Sequence, residues 1–180
     1  MKDEFKGDEL MEWKHVKQFI ATGQAFIPVN TEGSGRDCVQ LFFKDGTTEI
    51  IDISCHSFLK KLLIFFGTSV AANRDRYGPL ICKKQLVPIA LSYGFTLIPY
   101  IVRDSIGRQS RYGWVIAKEI TSLQTQSSCK TAIELANHEI SVHHSQKFCL
   151  DQIKNAKLID LYYSEIHEPH RKHWPVSGIL

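Results

Sequence analysis

Three arginines fall within nine residues of a polar stretch, where they could bind an anion together. The stretch reads Arg-Asp-Ser-Ile-Gly-Arg-Gln-Ser-Arg, and a strand is predicted on each side of it. A narrow A·T minor groove attracts arginine, and glutamine and serine can hydrogen-bond to the acceptors on its floor. The alternative is a solvated hairpin connection. We interpret the stretch as a DNA-reading loop that uses Arg103, Arg108, Gln109, Ser110 and Arg111.

Further basic residues come in pairs that could contact phosphate oxygens. A cation on a phosphate adds affinity for DNA but reads no sequence. Each pair alone is typical of a solvated surface, so the pairs indicate DNA binding only in combination with the predicted reading loop. The predicted phosphate contacts are Lys60, Lys61, Arg74 and Arg76, and a further basic pair is Lys83 and Lys84.

Eight histidines and five cysteines raise the question of a metal site. A structural zinc site needs four ligands, usually supplied as close pairs on rigid turns. His143-His144 lies near Cys149, but a second matching pair is missing, and the series His167, His170, His173 also lacks zinc-finger spacing. We therefore predict neither a metal nor a cofactor.

Cys55 at a predicted helix start, followed by His56, is the strongest sign of a nucleophile. Adjacent residues on a helix point in different directions, so a packing role for Cys55 is favoured. A cysteine hydrolase stays a remote alternative, and the prediction is that the chain is not an enzyme. The odd number of cysteines and the lack of a CxxC pair favour reduced thiols over disulfides.

Periodicity and turn signals predict an α+β fold with a mostly antiparallel sheet and N-terminal, central and C-terminal helices. A hairpin is predicted about Asp45-Gly46, and a central helix is predicted to begin after Ser54, with an interruption at Gly67. The other helices are predicted over residues 8–21 and 146–163. The strands are predicted over residues 25–29, 38–43, 47–53, 85–91, 95–102, 114–123, 130–136 and 139–143.

Composition predicts one folded domain over residues 1–180, with residues 164–180 as a polar arm too broken by proline to continue the last helix. Hydrophobic residues make up 43% of the chain. No apolar run reaches the roughly 18 residues of a membrane span, and residues 1–8 alternate acid and base. The expected location is the cytoplasm. The net charge of +3 permits an anionic partner without implying one.

Several short motifs resemble, in the same order, those of the ComK family of bacterial competence transcription factors. Asp52-Ile53-Ser54-Cys55 resembles its D-x-S-C element, and Gly113-Trp114-Val115 is similar to its G-W-I element. Between them, Phe66-Gly67-Thr68-Ser69, followed by Arg74 and Gly78, resembles an F-G-S-S … R … G element. The resemblance covers residues 37–161, although residues 56–65 lengthen the central helix and Tyr112 stands where a cysteine is common.

This resemblance implies a nucleoid-associated activator of competence-type genes that binds paired AT-rich sites as a dimer or higher oligomer. It adds Ser69 to the predicted DNA-binding residues. It also implies two protein partners, an adaptor of a Clp-type protease and RNA polymerase. The alternative function is a protein-interaction or regulatory module that has lost DNA binding and uses the N-terminal helix.

Overall fold

The computed structural model describes residues 4–33 and 35–168, with side chains described from Trp13 onward. Helix α1 spans Glu4–Thr22, so it begins before the predicted residues 8–21. Val16 and Phe19 are fully buried on the inner face of α1. The predicted amphipathic N-terminal helix is therefore confirmed, and its apolar face packs inside the protein.

The main sheet has six strands in the order β3-β2-β1-β6-β5-β4, and every neighbouring pair is antiparallel. The predicted hairpin at Asp45-Gly46 is confirmed. Gly46 has φ +86°, which glycine adopts readily, and the Asp45 carboxylate accepts a 2.9 Å hydrogen bond from the backbone N–H of Thr47. The strands are β1 Gly23–Asn30, β2 Asp37–Phe43, β3 Thr48–Ile51, β4 Ile89–Ser92, β5 Phe95–Ile101 and β6 Tyr112–Ile116.

A second sheet of three antiparallel strands contains β7 Ser122–Ser127, β8 Lys130–Glu134 and β9 Glu139–Val142. The prediction of one strand over residues 114–123 is wrong, because a 3-10 turn at Ala117–Glu119 takes the chain from the first sheet to the second. The Glu119 carboxylate holds this turn through Lys44 at 2.9 Å and Gln24 at 3.3 Å.

The central helical segment forms two helices, α2 Cys55–Phe65 and α3 Val70–Tyr77, so the predicted interruption at Gly67 is confirmed. Ser54 caps α2 as predicted, with its side chain accepting from the N–H of Ser57 at 3.1 Å.

Helix α4 spans Gln146–His167, so the prediction that the chain leaves the helix after Tyr163 is wrong. The last turn is stabilised because the His167 ring stacks on the Tyr163 ring with centroids 3.9 Å apart, and His167 Nδ1 donates to the Tyr163 carbonyl at 2.9 Å. The rest of the predicted polar arm, residues 169–180, lies outside the described residues.

The six-stranded sheet is buried on both faces. On one face, α1 and α2 pack through Phe19, Phe26 and Phe58, whose rings meet edge to face at 5.0–5.6 Å. On the other face, Ile98 and Tyr100 pack with the second sheet and α4. Burying each such side chain contributes about 1.5–3 kcal/mol, so the strand ends are rigid supports for their loops. The predicted α+β class, with a mostly antiparallel sheet and N-terminal, central and C-terminal helices, is confirmed.

Candidate nucleic-acid interface

The predicted reading loop and the β1–β2 loop project from the same end of the main sheet. Strand β1 lies antiparallel to both β2 and β6, so the end of β1 adjoins the starts of β2 and β6. The strands β5 and β6 stay paired up to a 3.0 Å bond from the N–H of Val102 to the carbonyl of Arg111. The reading loop, residues 103–111, thus starts from a closed hairpin stem.

Arg103 clamps the base of the loop to its neighbour. Its Nε donates to the Ser110 carbonyl at 2.8 Å, and one Nη donates to the Asp37 carboxylate at 2.8 Å. The other Nη donates to the Asn30 side chain. Only 15% of the Arg103 side chain is exposed. Arg103, predicted as one of the DNA-binding residues, therefore holds two loops together.

Gln109 also joins the two loops. Its Oε1 accepts from the Asn30 side chain at 3.0 Å, and its Nε2 donates to the Gly35 carbonyl at 3.2 Å. A tight turn closes where the N–H of Gln109 donates to the Ile106 carbonyl at 2.9 Å, and Gly107 there has φ +52°. Arg108 is exposed at the tip of this turn.

Arg111 and Ser110 lie at the base of the loop. One Nη of Arg111 donates to the Ser105 hydroxyl at 3.3 Å, while its buried Nε has no hydrogen-bond partner within the described residues. The Ser110 hydroxyl accepts from the N–H of Tyr112 at 3.3 Å. The three arginines therefore differ in role: Arg103 is structural, Arg108 is the exposed tip and Arg111 is half-buried.

A groove of about 340 Å³ lies beside β6 and is lined by Tyr112, which directly follows the loop, by Trp114, and by the basic residues Arg74 and Lys84. The structure thus places Arg74 in the same groove as Tyr112, together with Lys84, which was not among the predicted contacts. The sequence could not separate Lys84 from Lys83. The Lys83 ammonium donates to Gln152 at 2.8 Å and lies 4.7 Å from the Phe148 ring centroid, so it points inward, and burial lowers its pKa.

The remaining predicted contacts lie outside this groove. Lys60 is exposed and Lys61 is half-buried in the middle of α2. The first residue of α2, Cys55, contacts the Tyr112 carbonyl at the end of the reading loop, and the two lysines lie roughly 8 Å further along the helix axis. Ser69 caps α3 by accepting from the N–H of Ala72 at 3.0 Å. Arg76 lies on the side of α3 away from the groove, where it lines a separate cavity.

The cysteine predicted as the best nucleophile is buried. The Cys55 thiol donates to the Tyr112 carbonyl over 3.4 Å, and burial raises its pKa, so the reactive thiolate is disfavoured. All five cysteines are free thiols. In the part of the chain that the structure describes, no three His, Cys, Asp or Glu side chains are grouped to hold a metal ion; His170 and His173 fall outside it.

His144 sits behind the reading loop and fixes the end of β5. Its Nε2 accepts from the N–H of Ile101 at 3.0 Å, and its ring stacks on Phe148 at 4.1 Å. Burial, together with the nearby His143, Arg111 and Lys83, lowers the His144 pKa to about 4. The imidazole is therefore neutral at pH 7 and acts as a hydrogen-bond acceptor for the strand.

No protein-family model, curated protein or solved structure matches the chain. Among the described helices, none is both long and apolar enough to cross a membrane. Fold and geometry define an α+β protein that presents a braced, arginine-tipped loop beside a basic groove.

Proposed function

We propose that the chain is a DNA-binding transcription regulator that reads AT-rich duplex through the minor groove. The observation that carries this proposal is the exposed Arg108 at the tip of a tight turn whose base is clamped by Arg103. The minor groove of B-DNA is only about 6 Å wide, so a narrow turn with one projecting arginine suits it.

The clamp favours binding because it orders the loop before DNA arrives. A loop that is already fixed loses less conformational entropy on association. Arg103 and Gln109, which were predicted to read bases, act in this proposal by positioning Arg108. The groove beside the loop then supplies phosphate contacts from Arg74 and Lys84, since phosphate contacts set the orientation of a protein on the duplex.

The resemblance to the ComK family extends the proposal to cellular role. On that basis we infer a cytoplasmic, nucleoid-associated activator of competence-type genes that binds as an oligomer. The adaptor of a Clp-type protease and RNA polymerase are the protein partners inferred from the same resemblance.

The structure offers less support for the two alternatives. A module that docks through the N-terminal helix needs an available apolar face, but Val16 and Phe19 of α1 are in the core and Trp13 packs against Phe65 at 6.0 Å. A cysteine hydrolase needs an accessible thiolate, and Cys55 is buried with a raised pKa. The DNA-reading loop is therefore the preferred candidate.

Titration of fluorescent AT-rich and GC-rich duplexes at several salt concentrations tests the proposal. The wild type should bind the AT-rich duplex more tightly, with affinity falling as salt rises. Arg108→Ala should lose about 1–3 kcal/mol of AT-rich binding, on the order of tenfold in Kd, and much of the A·T preference.

Arg36→Ala is the matched control, because Arg36 is an exposed arginine in the neighbouring loop, where it pairs with Asp52 at 2.8 Å. Removing the same charge there should change binding to both duplexes alike. A wild type without A·T preference, or an Arg108→Ala variant with unchanged affinity and preference, would show that the proposed function is wrong.

A further inference from the structure

A second cavity lies behind α3, on the side away from the basic groove. Its volume is about 570 Å³, and its walls come from residues 66–69, α3, β4 and the last turns of α4. Cavities that hold small ligands have volumes of about 300–1,000 Å³. The cavity is therefore large enough for a small organic molecule.

An arginine and a histidine line this cavity. Arg76 lies on one wall and His167 on another, and no described residue lining the cavity is acidic. His167 Nδ1 donates to the Tyr163 carbonyl at 2.9 Å, so Nε2 is left to meet a ligand, where it can accept a hydrogen bond from the P–OH of a monoprotonated phosphate. One arginine and one histidine from different helices, without a lining carboxylate, favour an anionic ligand.

Two hydroxyls that line the cavity are available as donors. The Thr68 oxygen accepts from the Asn73 side chain at 3.0 Å, and the Ser69 oxygen accepts from the N–H of Ala72 at 3.0 Å. Because each oxygen already accepts a bond from the protein, its own O–H proton can point to a different acceptor. Donors of this kind suit the oxygens of a phosphate.

The remaining walls are aromatic. Phe66 and Tyr163 are half-buried at the cavity, and Tyr77 is buried beneath it. Flat rings provide apolar contact area for a flat ligand group. We propose that this cavity binds a small phosphate monoester that carries a planar ring, with the phosphate held by Arg76, His167, Thr68 and Ser69, and the ring against Phe66 and Tyr163.

This inference goes beyond DNA binding and does not depend on it. Isothermal titration calorimetry of the full chain with phenyl phosphate, in the absence of DNA, is the test. Phenyl phosphate should bind, and inorganic phosphate and phenol should each bind at least tenfold more weakly, because each offers only half of the contacts. No binding of phenyl phosphate at millimolar concentration overturns the proposal, and inorganic phosphate that binds as tightly overturns the assignment of the ring.

Variants then locate the site. Arg76→Gln and His167→Gln should each weaken phenyl phosphate binding by about tenfold or more, since a hydrogen bond to the ionic phosphate is lost. Ala72→Phe should fill the cavity from an exposed position and abolish binding, with thermal unfolding confirming that the variant is folded. The control is Arg74→Gln on the groove side of α3, which should weaken DNA binding but leave phenyl phosphate affinity unchanged. Equal losses in Arg74→Gln and Arg76→Gln would place the ligand outside this cavity and overturn the proposal.

Discussion

At the scale of single residues, the surroundings give three arginines of one loop different roles. Arg103 meets Asp37, which lies 66 positions away in sequence, and becomes a clamp, whereas Arg108 meets solvent at a turn. The sequence predicted that the loop is arginine-rich and lies between strands. It could not predict which arginine is internal, because that depends on the pairing of β1 with β6. This pairing brings Asn30 and Asp37 next to Arg103.

His144 gives a residue-scale prediction about pH. Its folded-state pKa of about 4 lies below the ordinary 6.5, so between these values the unfolded chain binds the extra proton. The contribution of His144 to the free energy of unfolding should therefore be present in full above about pH 6.5. It should decrease as the pH drops towards 4 and change no further below pH 4. Because the ring is only half-buried, we expect a loss on the order of 1–2 kcal/mol from this residue.

Urea unfolding at pH 7, 5.5 and 4.5 measures this effect. His144→Gln should be less stable than the wild type at pH 7, since it loses the stacking on Phe148, but the difference should shrink as the pH falls. Parallel profiles for wild type and His144→Gln would contradict the prediction.

At the scale of elements, the sequence predicted turns and helix starts well where one or two neighbouring residues determine the backbone conformation. Asp45-Gly46 predicted a hairpin and Ser54 a helix start, and both are present. The division of residues 114–123 between two sheets was missed, because the break depends on a distant partner: Lys44 and Gln24 bind the Glu119 carboxylate. The basic groove was missed for a similar reason, since it forms only when α3 and the segment after Lys83 pack against β6.

Helix α4 gives an element-scale prediction about assembly. Leu158, Leu161 and Ile166 are exposed by 42%, 60% and 39%, at the spacing of one helical face. We propose that a second copy of this chain covers them, because an antiparallel α4 pair would place Leu158 against Leu161 and Lys154 near Glu165 of the other copy. Leu161→Lys should then raise the dimer dissociation constant at least tenfold, since it places a charge in an apolar contact.

Light scattering over a range of protein concentrations measures this change. Ile50→Lys is a matched control, because Ile50 is similarly exposed, at 56%, but lies on the edge strand β3. It should leave the oligomeric state unchanged. A wild-type chain that stays strictly monomeric at high concentration, with and without DNA, would contradict the proposed α4 contact.

At the scale of the whole molecule, the two ends of the main sheet differ. At the end with the β2–β3 hairpin, the second sheet braces the first: the Asn137 amide donates to the Lys44 carbonyl at 2.6 Å, and a ring nitrogen of His138 donates to the Phe43 carbonyl at 2.9 Å. At the other end, the two loops joined by Arg103 face solvent together with Arg36 and Arg108. The fold thus fixes one end and, at the other, exposes Arg36 and Arg108 beside the carboxylates of Asp52 and Asp104.

One last prediction separates the residues that contribute overall DNA affinity from those that contribute the preference for A·T base pairs. With a net charge of only +3, binding must depend on a few local phosphate contacts, each of which changes the slope of log K against log salt by about 0.9. Lys60→Ala with Lys61→Ala should make that slope shallower by about one to two and leave the A·T preference intact, because neither lysine lies in the reading loop. Arg108→Ala should reduce the preference instead. Duplex titrations from low to moderate salt measure both quantities, and an unchanged slope in the double lysine variant would remove α2 from the interface.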